Sequence, residues 1–327
     1  MRRILALPVT LILVGCTLIV GPTPTVPSSP TLSTTTTTST SSTTTTTVPT
    51  TTTTEYDPGP VLGLITPTGV PVVVNRVLDD GYEVYDTCGE LTMVSGGEPL
   101  HRTPVVLDPG HGGRSSIGAQ GRNGLPEKEI NLTLSFEVQR VLALRGIPSV
   151  LARVDDYGVT ISSRARLADA LQSEALVSVH HNAPAPAASP TPGTEVYHQS
   201  TSEKSRRLAG LLFQYVFEAL QQFDVAWTAA PDAGAFTVLN RQGLDTYGIL
   251  RLPTTPSALL EVGYINNPAE AELFATAEYV KVIGVAIADA IEAYLTTEEP
   301  GSGWTEGRTF TAQAGLSPDR CDAPDLE

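Results

Sequence analysis

The sequence predicts an α/β fold: a twisted, mostly parallel sheet with helices on both faces, preceded by a small β-rich segment. Three observations predict it. Short continuous apolar runs such as "VVLD" and "ALVSV" carry the signature of strands buried on both faces. Long helical patterns stand between those runs, as strand–helix–strand units require. Before Pro104 the texture differs, with apolar runs broken by turns ("VLGLITPTG", "VPVVVNRV", "GYEVYDT", "LTMVSGG"), as in short strands joined at glycines. At 327 residues the chain has ample material for a core.

From Pro104 onward the elements follow in order. "VVLD" reads as the first buried strand. "EKEINLTLSFEVQRVLALRG" is a helix with Ile130, Leu134, Val138 and Val141 at helical spacing and Gly146 as its stop. "IPSVLAR" reads as strand, and "TISSRARLADALQ" as a helix opening at a Thr or Ser cap. "ALVSVH" and "TEVYH" read as strands, and "SEKSRRLAGLLFQYVFEALQQF" as a long amphipathic helix. "YGILRL" and "SALLEVGYI" read as two further strands. "VKVIGVAIADAIEAYL", apolar around most of its girth, is a buried closing helix. In such sheets ligands bind beyond the carboxyl ends of the strands, so "DPGH", "HHN" and "EVGY", each closing a strand, are expected to converge.

The flanks are of other kinds. Residues 1–21 hold a basic start, "MRR", then the apolar "ILALPVTLILVG", the pattern of an export signal. "LVGC" places Cys16 as in a bacterial lipoprotein signal. An uncleaved anchor is the alternative, since residues 4–21 form one apolar run. Either reading puts the rest of the chain outside the cytoplasm, tethered to the membrane. Residues 22–55 are almost wholly Thr, Ser and Pro, a composition too polar to offset ordering entropy, and read as a disordered linker. Residues 56–103 form the β-rich segment, 104–297 the main domain and 298–327 a C-terminal tail. Acidic residues outnumber basic ones, 35 Asp+Glu to 20 Lys+Arg, which argues against a nucleic-acid partner. Two cysteines besides Cys16 remain, Cys88 and Cys321. Outside the cytoplasm such a pair points to a disulfide, with two free thiols as the alternative.

Four groups in the main domain carry chemistry. His111 follows the first strand between glycines, Glu127 begins the first long helix, His180 and His181 end "LVSVHH", and Glu261 ends "SALLE". Taken singly they are ordinary: a turn histidine, a carboxylate at a helix start, surface histidines. Glu261 is harder to dismiss, because a buried unpaired carboxylate is costly. Together they are a set. Two imidazoles and a carboxylate with an open fourth position form a catalytic zinc site, and a further carboxylate off the metal serves as general base.

At these motifs the chain becomes recognisable. "VVLDPGHGG", "GLPEKEINLTL", "LVSVHHNA" and "PSALLEVGYINN", in that order, resemble the zinc-dependent N-acetylmuramoyl-L-alanine amidases of bacterial cell walls, over about Pro104 to Leu295. The resemblance implies a phosphorylase/hydrolase-like sheet, Zn2+ as cofactor and peptidoglycan as substrate. The bond cleaved would be the amide between the lactyl group of N-acetylmuramic acid and L-alanine. It implies His111, Glu127 and His180 as metal ligands and Glu261 as catalytic base, with Arg164 and Arg241 in support. One position departs from the family, which carries a small residue where this chain has His181. Strand alternation sends His180 and His181 to opposite faces; the motif register makes His180 the ligand and leaves His181 to contact substrate or to be a satisfied rim histidine. Asn182 is expected to orient the site or simply to cap its strand, and His101 and His198 to be structural or surface residues. Some members of this family are covered by an inserted helix. No spare helical segment is visible between His180 and Glu261, so the cleft is expected to be open, with access governed by tethering, activator proteins or the β-rich segment. The rival reading is a catalytically inactive amidase-like module that binds peptidoglycan or regulates a partner.

Overall fold

The computed structural model describes residues 58–310 and 321–327. The expected signal or anchor and the Thr/Ser/Pro linker lie outside these described residues. Among them, no helix is long and apolar enough to cross a membrane. The described residues belong to one compact unit.

The β-rich segment is a single antiparallel sheet of five strands: β1 (Gly63–Ile65), β2 (Pro71–Leu78), β3 (Gly81–Tyr85), β4 (Leu91–Val94) and β5 (Glu98–Leu100), in the order β4-β3-β2-β1-β5. Its turns use glycine where the backbone enters the left-handed region, as at Gly69 (φ 85°) and Gly89 (φ 94°).

The main domain then alternates as expected: β6 (Val105–Pro109), α1 (Glu127–Leu144), β7 (Ser149–Leu151), α2 (Ile161–Ala170), β8 (Ala175–Asn182), β9 (Ala188–Ser189), β10 (Glu195–His198) and α3 (Glu203–Leu220). Three short strands follow, β11 (Trp227–Thr228), β12 (Ala235–Phe236) and β13 (Val238–Leu239), then α4 (Gly248–Arg251) and β14 (Ser257–Tyr264). The chain finishes with α5 (Pro268–Phe274), α6 (Ala277–Thr296) and β15 (Arg308–Thr309). The central sheet runs β12-β10-β14-β8-β6-β7. It is parallel from β14 to β7; β10 lies antiparallel to β14.

Period-two alternation sorts the strand residues between two layers. Val105, Leu107, Val177, Val179 and Leu260 pack under α1, α3 and α6. Val106, Leu176 and Leu259 face the other way, toward α2, α4 and the small sheet, which adds Val73 and the half-buried Leu62, Tyr85 and Leu100. The β-rich segment is therefore part of the second covering layer. Local signals set the helix ends: Thr160 and Ser202 accept from the backbone N–H groups of Ser163 and Ser205 at the starts of α2 and α3, and Gly146 (φ 72°) follows the end of α1.

One expectation is corrected. "YGILRL" is not a strand but the one-turn helix α4. Ile249 and Leu250 are neighbours, and both are buried; a strand would have sent one of them to the opposite face, whereas a helical turn seats the two together. Arg251 fixes the turn by donating to the carbonyls of Asp245 and Thr246. The stretch between His180 and Glu261 thus holds a second helix after all, short though it is. The tail, for its part, is built into the fold. Residues 308–309 pair with β13, Leu326 is buried in the core of the small sheet, and Cys321 is joined to Cys88 by a disulfide.

Candidate active site

The carboxyl ends of β6, β8 and β14 bring the predicted residues to one place. His180 on β8 is in register with Glu261 on β14, and Pro109 at the end of β6 faces Val179. His111 follows on the loop, and the first turn of α1 supplies Glu127. His111 Nε2 lies 3.1 Å and His180 Nδ1 3.0 Å from Glu127 Oε1. One donor atom from each residue falls within 4.8 Å of the others. Two imidazole nitrogens and a carboxylate oxygen so disposed fit a zinc ion's ligand preferences.

The backbone around them leaves room only for hydrogen. A β-carbon at Gly110 would stand 2.2 Å from His180 Nε2, and one at Gly118 2.6 Å from Glu127 Oε2 and 2.8 Å from His111 Cδ2. His111 itself sits in the left-handed region at φ 63°, a conformation that a non-glycine residue holds only when its surroundings enforce it. Two buried arginines supply the enforcement. Arg164 donates to the Asp108 carboxylate, to the Pro109 carbonyl at 2.8 Å and to the His111 carbonyl at 2.7 Å. Arg153 donates to the carbonyls of Gly110, Lys128 and Asp155. Asp108 also accepts from Ser178 Oγ at 2.7 Å, and the Arg164 charge and these hydrogen bonds outweigh burial to hold its carboxyl below its usual range.

Glu127 is surrounded by donors. Besides the two imidazoles, the Ala119 N–H reaches Oε2 at 2.8 Å, while Asn131 Nδ2 and the His181 N–H each reach Oε1 at 3.3 Å. Burial opposes ionisation, but these partners overcome it and hold the carboxyl far below the ordinary range. Burial pushes His180 down as well, which keeps its ring neutral and free to ligate.

Glu261 is the opposite case. Its Oε2 is shut off from solvent and has no hydrogen-bond partner. Burial, then the charges of Glu127 and Glu195, raise its pKa well above the carboxylate norm. Glu195, its cross-strand neighbour on β10, is satisfied by Tyr197 Oη at 2.5 Å, Asn182 Nδ2 at 2.8 Å and Arg308 Nη1 at 3.0 Å. His111, His180 and Glu261 all line one cavity of ≈ 350 Å³, whose other walls include Val159, Ile161, Tyr247, Ile249, Leu259 and Cys321.

A sequence profile described as "Amidase_3: N-acetylmuramoyl-L-alanine amidase" matches residues 105–293. The chain belongs to that amidase family. The Bacillus subtilis protein YqiI is 35% identical over 199 residues, covering 60% of this chain and 87% of its own. The N-acetylmuramoyl-L-alanine amidase LytC of the same organism is 31% identical over 198 residues, of which this chain spans only 36% of the relative's length. Among solved structures, the N-acetylmuramoyl-L-alanine amidase AmiC2 of Nostoc punctiforme aligns with a TM-score of 0.50 at 30% identity, over 60% of this chain and 98% of that one. The profile match stops short of both flanks, leaving the β-rich segment and the C-terminal residues outside it.

The remaining predicted residues fall into place around it. His181 lies outside the cavity lining. It is 1% exposed, with Nδ1 2.7 Å from Asn131 Oδ1, Nε2 2.7 Å from Tyr279 Oη, and its pKa pushed down by burial to about 3. Asn182 bonds Glu195, not a ligand. Arg164 lines the cavity, but its donors go to Asp108 and to backbone carbonyls, so it shapes the loop that carries His111. Arg241 sits on an exposed turn outside the cavity lining. His198 is buried, with Nδ1 2.9 Å from the Gln199 carbonyl, and His101 Nδ1 lies 2.9 Å from the Pro60 carbonyl. Sequence reasoning missed Asp108, Asn131, Arg153 and Glu195. Of these, Asn131 carried a signal: it stands four residues beyond Glu127, on the same helix face.

Proposed function

We propose that this amidase domain hydrolyses the amide between the lactyl group of N-acetylmuramic acid and L-alanine in peptidoglycan, with zinc held by His111, Glu127 and His180. One observation carries the reading: an unpartnered carboxyl, Glu261, shares a cavity with two of three converging metal-type donors. A binding module has no use for such a group, whose isolation costs stability. Zinc in that position supplies Lewis acidity, which polarises a carbonyl and acidifies water.

The chain's own residues do the rest. Glu261 accepts a proton from the attacking water as the new C–O bond forms on the lactyl carbonyl. It then returns that proton to the alanine nitrogen as the C–N bond breaks, leaving a lactyl carboxylate and a free peptide amine. The raised proton affinity of Glu261 suits it to both transfers. Val159, Ile161, Ile249 and Leu259 keep one side of the cavity apolar, where fewer waters compete. The catalytic domain so defined runs over 104–297, and its substrate places it outside the cytoplasm. Residues 1–21, as lipoprotein signal or anchor, and the linker at 22–55 would tether it there.

Digestion of purified peptidoglycan by the zinc-loaded full chain tests this, with mass analysis of the products. Fragments with a free lactyl carboxyl and an N-terminal alanine are expected from the parent protein and not from Glu261→Gln. Binding without cleavage by the parent would establish the rival, a non-catalytic wall-binding module.

A further inference from the structure

We infer that His181 is a positioning residue: through Asn131 it fixes the carboxylate of Glu127, and Tyr279 in turn fixes His181. The inference rests on the zinc reading of His111, Glu127 and His180, and extends it into the core beneath the site.

The direction of each hydrogen bond follows from its partners. Asn131 Nδ2 faces two groups that only accept, the Gly110 carbonyl and Glu127 Oε1, each at 3.3 Å. The amide nitrogen must therefore point there, which turns Oδ1 toward His181 Nδ1 at 2.7 Å. An acceptor at that position requires the proton on Nδ1. Nε2 is then an acceptor, filled by the Tyr279 hydroxyl at 2.7 Å. The donors run one way, from Tyr279 on α6 through His181 on β8 and Asn131 on α1 to the metal-side oxygen of Glu127.

The same two residues tie the site together in other ways. Asn131 holds Gly110 and Glu127 at once, and so links the loop of His111 to the helix of Glu127. The main-chain N–H of His181 also donates to Glu127 Oε1. His181 cannot take the metal itself, because both ring nitrogens are engaged on the far face of β8, edge-on to Phe274 (ring centroids 4.7 Å apart). A histidine in place of a small residue thus adds a rotamer lock behind a ligand, the kind of outer support that tunes metal affinity.

The test measures zinc affinity of the metal-free full chain by chelator competition, together with the His181 tautomer from ¹⁵N ring shifts. His181→Leu is expected to weaken zinc binding about 10- to 100-fold. His181→Asn, whose amide can donate to Asn131 from the Nδ1 position, should restore most of the loss. Tyr279→Phe, which deletes one hydroxyl and keeps the ring, should weaken binding by less and leave in place the Nδ1–H tautomer that Asn131 fixes. This second variant carries the test where His181→Leu does not fold. Unchanged affinity in folded His181→Leu or Tyr279→Phe, or an Nε2–H tautomer in the parent, would overturn the inference while leaving the zinc site standing. A parent protein that binds no zinc would remove both.

Discussion

Glu127 and Glu261 are the same residue type, close enough for the charge of one to act on the other, yet their environments are opposite. Glu127 meets donors on both oxygens, which hold its carboxyl far below the ordinary range; Glu261 has a buried oxygen with nothing to bond, and burial raises its proton affinity. The difference teaches how a site assigns roles without changing chemistry. A carboxylate saturated with donors offers a fixed lone pair for a cation, and one left without partners keeps its proton affinity for transfer.

The largest expected effect separates the two roles outright. Glu261→Gln should lower turnover of peptidoglycan by about 10²- to 10⁴-fold with zinc stoichiometry unchanged. Glu127→Gln should instead lose zinc, by more than the roughly 100-fold that outer partners contribute. Metal analysis beside activity checks both, and zinc loss in Glu261→Gln would break the comparison. Next comes the frame. Arg164→Leu leaves Asp108 as an uncompensated buried charge and should cost about 3–5 kcal/mol in denaturant unfolding.

The smallest effect is one of pH. Glu261 binds its proton more tightly folded than unfolded, so between the ordinary carboxyl range near 4.5 and its raised folded value the native state holds the extra proton. Stability then falls as pH rises through that window. Glu261→Gln removes the slope, so the metal-free variant should gain on its parent as pH climbs above the ordinary carboxyl range, read as a growing difference in Tm. Glu127 has the reverse sign: its contribution is complete above the ordinary carboxyl range and is lost on acidification. An equal Tm difference at every pH would show that Glu261 is ionised in the folded chain.

Much of this was legible in the sequence because polar residues stand out against apolar strands. His111, His180 and Glu261 each close such a run, and the sheet rule places strand ends together. The strand–helix alternation was legible for the same reason, with Ile130, Leu134, Val138 and Val141 showing the buried side of α1. Apart from the disulfide, which a lone pair of cysteines announced, what failed to show were hydrogen-bonded pairings across long separations. Arg153 and Arg164 look alike in the sequence, and only the fold reveals that both serve the carbonyls around His111. His181 could be sent to the far face by alternation, but its sealing between Asn131 and Tyr279 depends on α1 and α6 meeting beneath β8. Ile249 and Leu250 suited strand or helix equally, and the choice was made by which layer had room for two neighbours. The helix α5 was signalled by Asn267 before Pro268, a cap followed by a first-turn proline, and went unread.

Cys321 lines the same cavity as His111 and Glu261, and Asp322 accepts from the Gly158 N–H at 3.2 Å. One lining residue of the cleft therefore comes from far along the chain, and the covalent bridge to residue 88 clamps it there. Breaking that bridge would loosen a wall of the binding space without touching any of the metal donors.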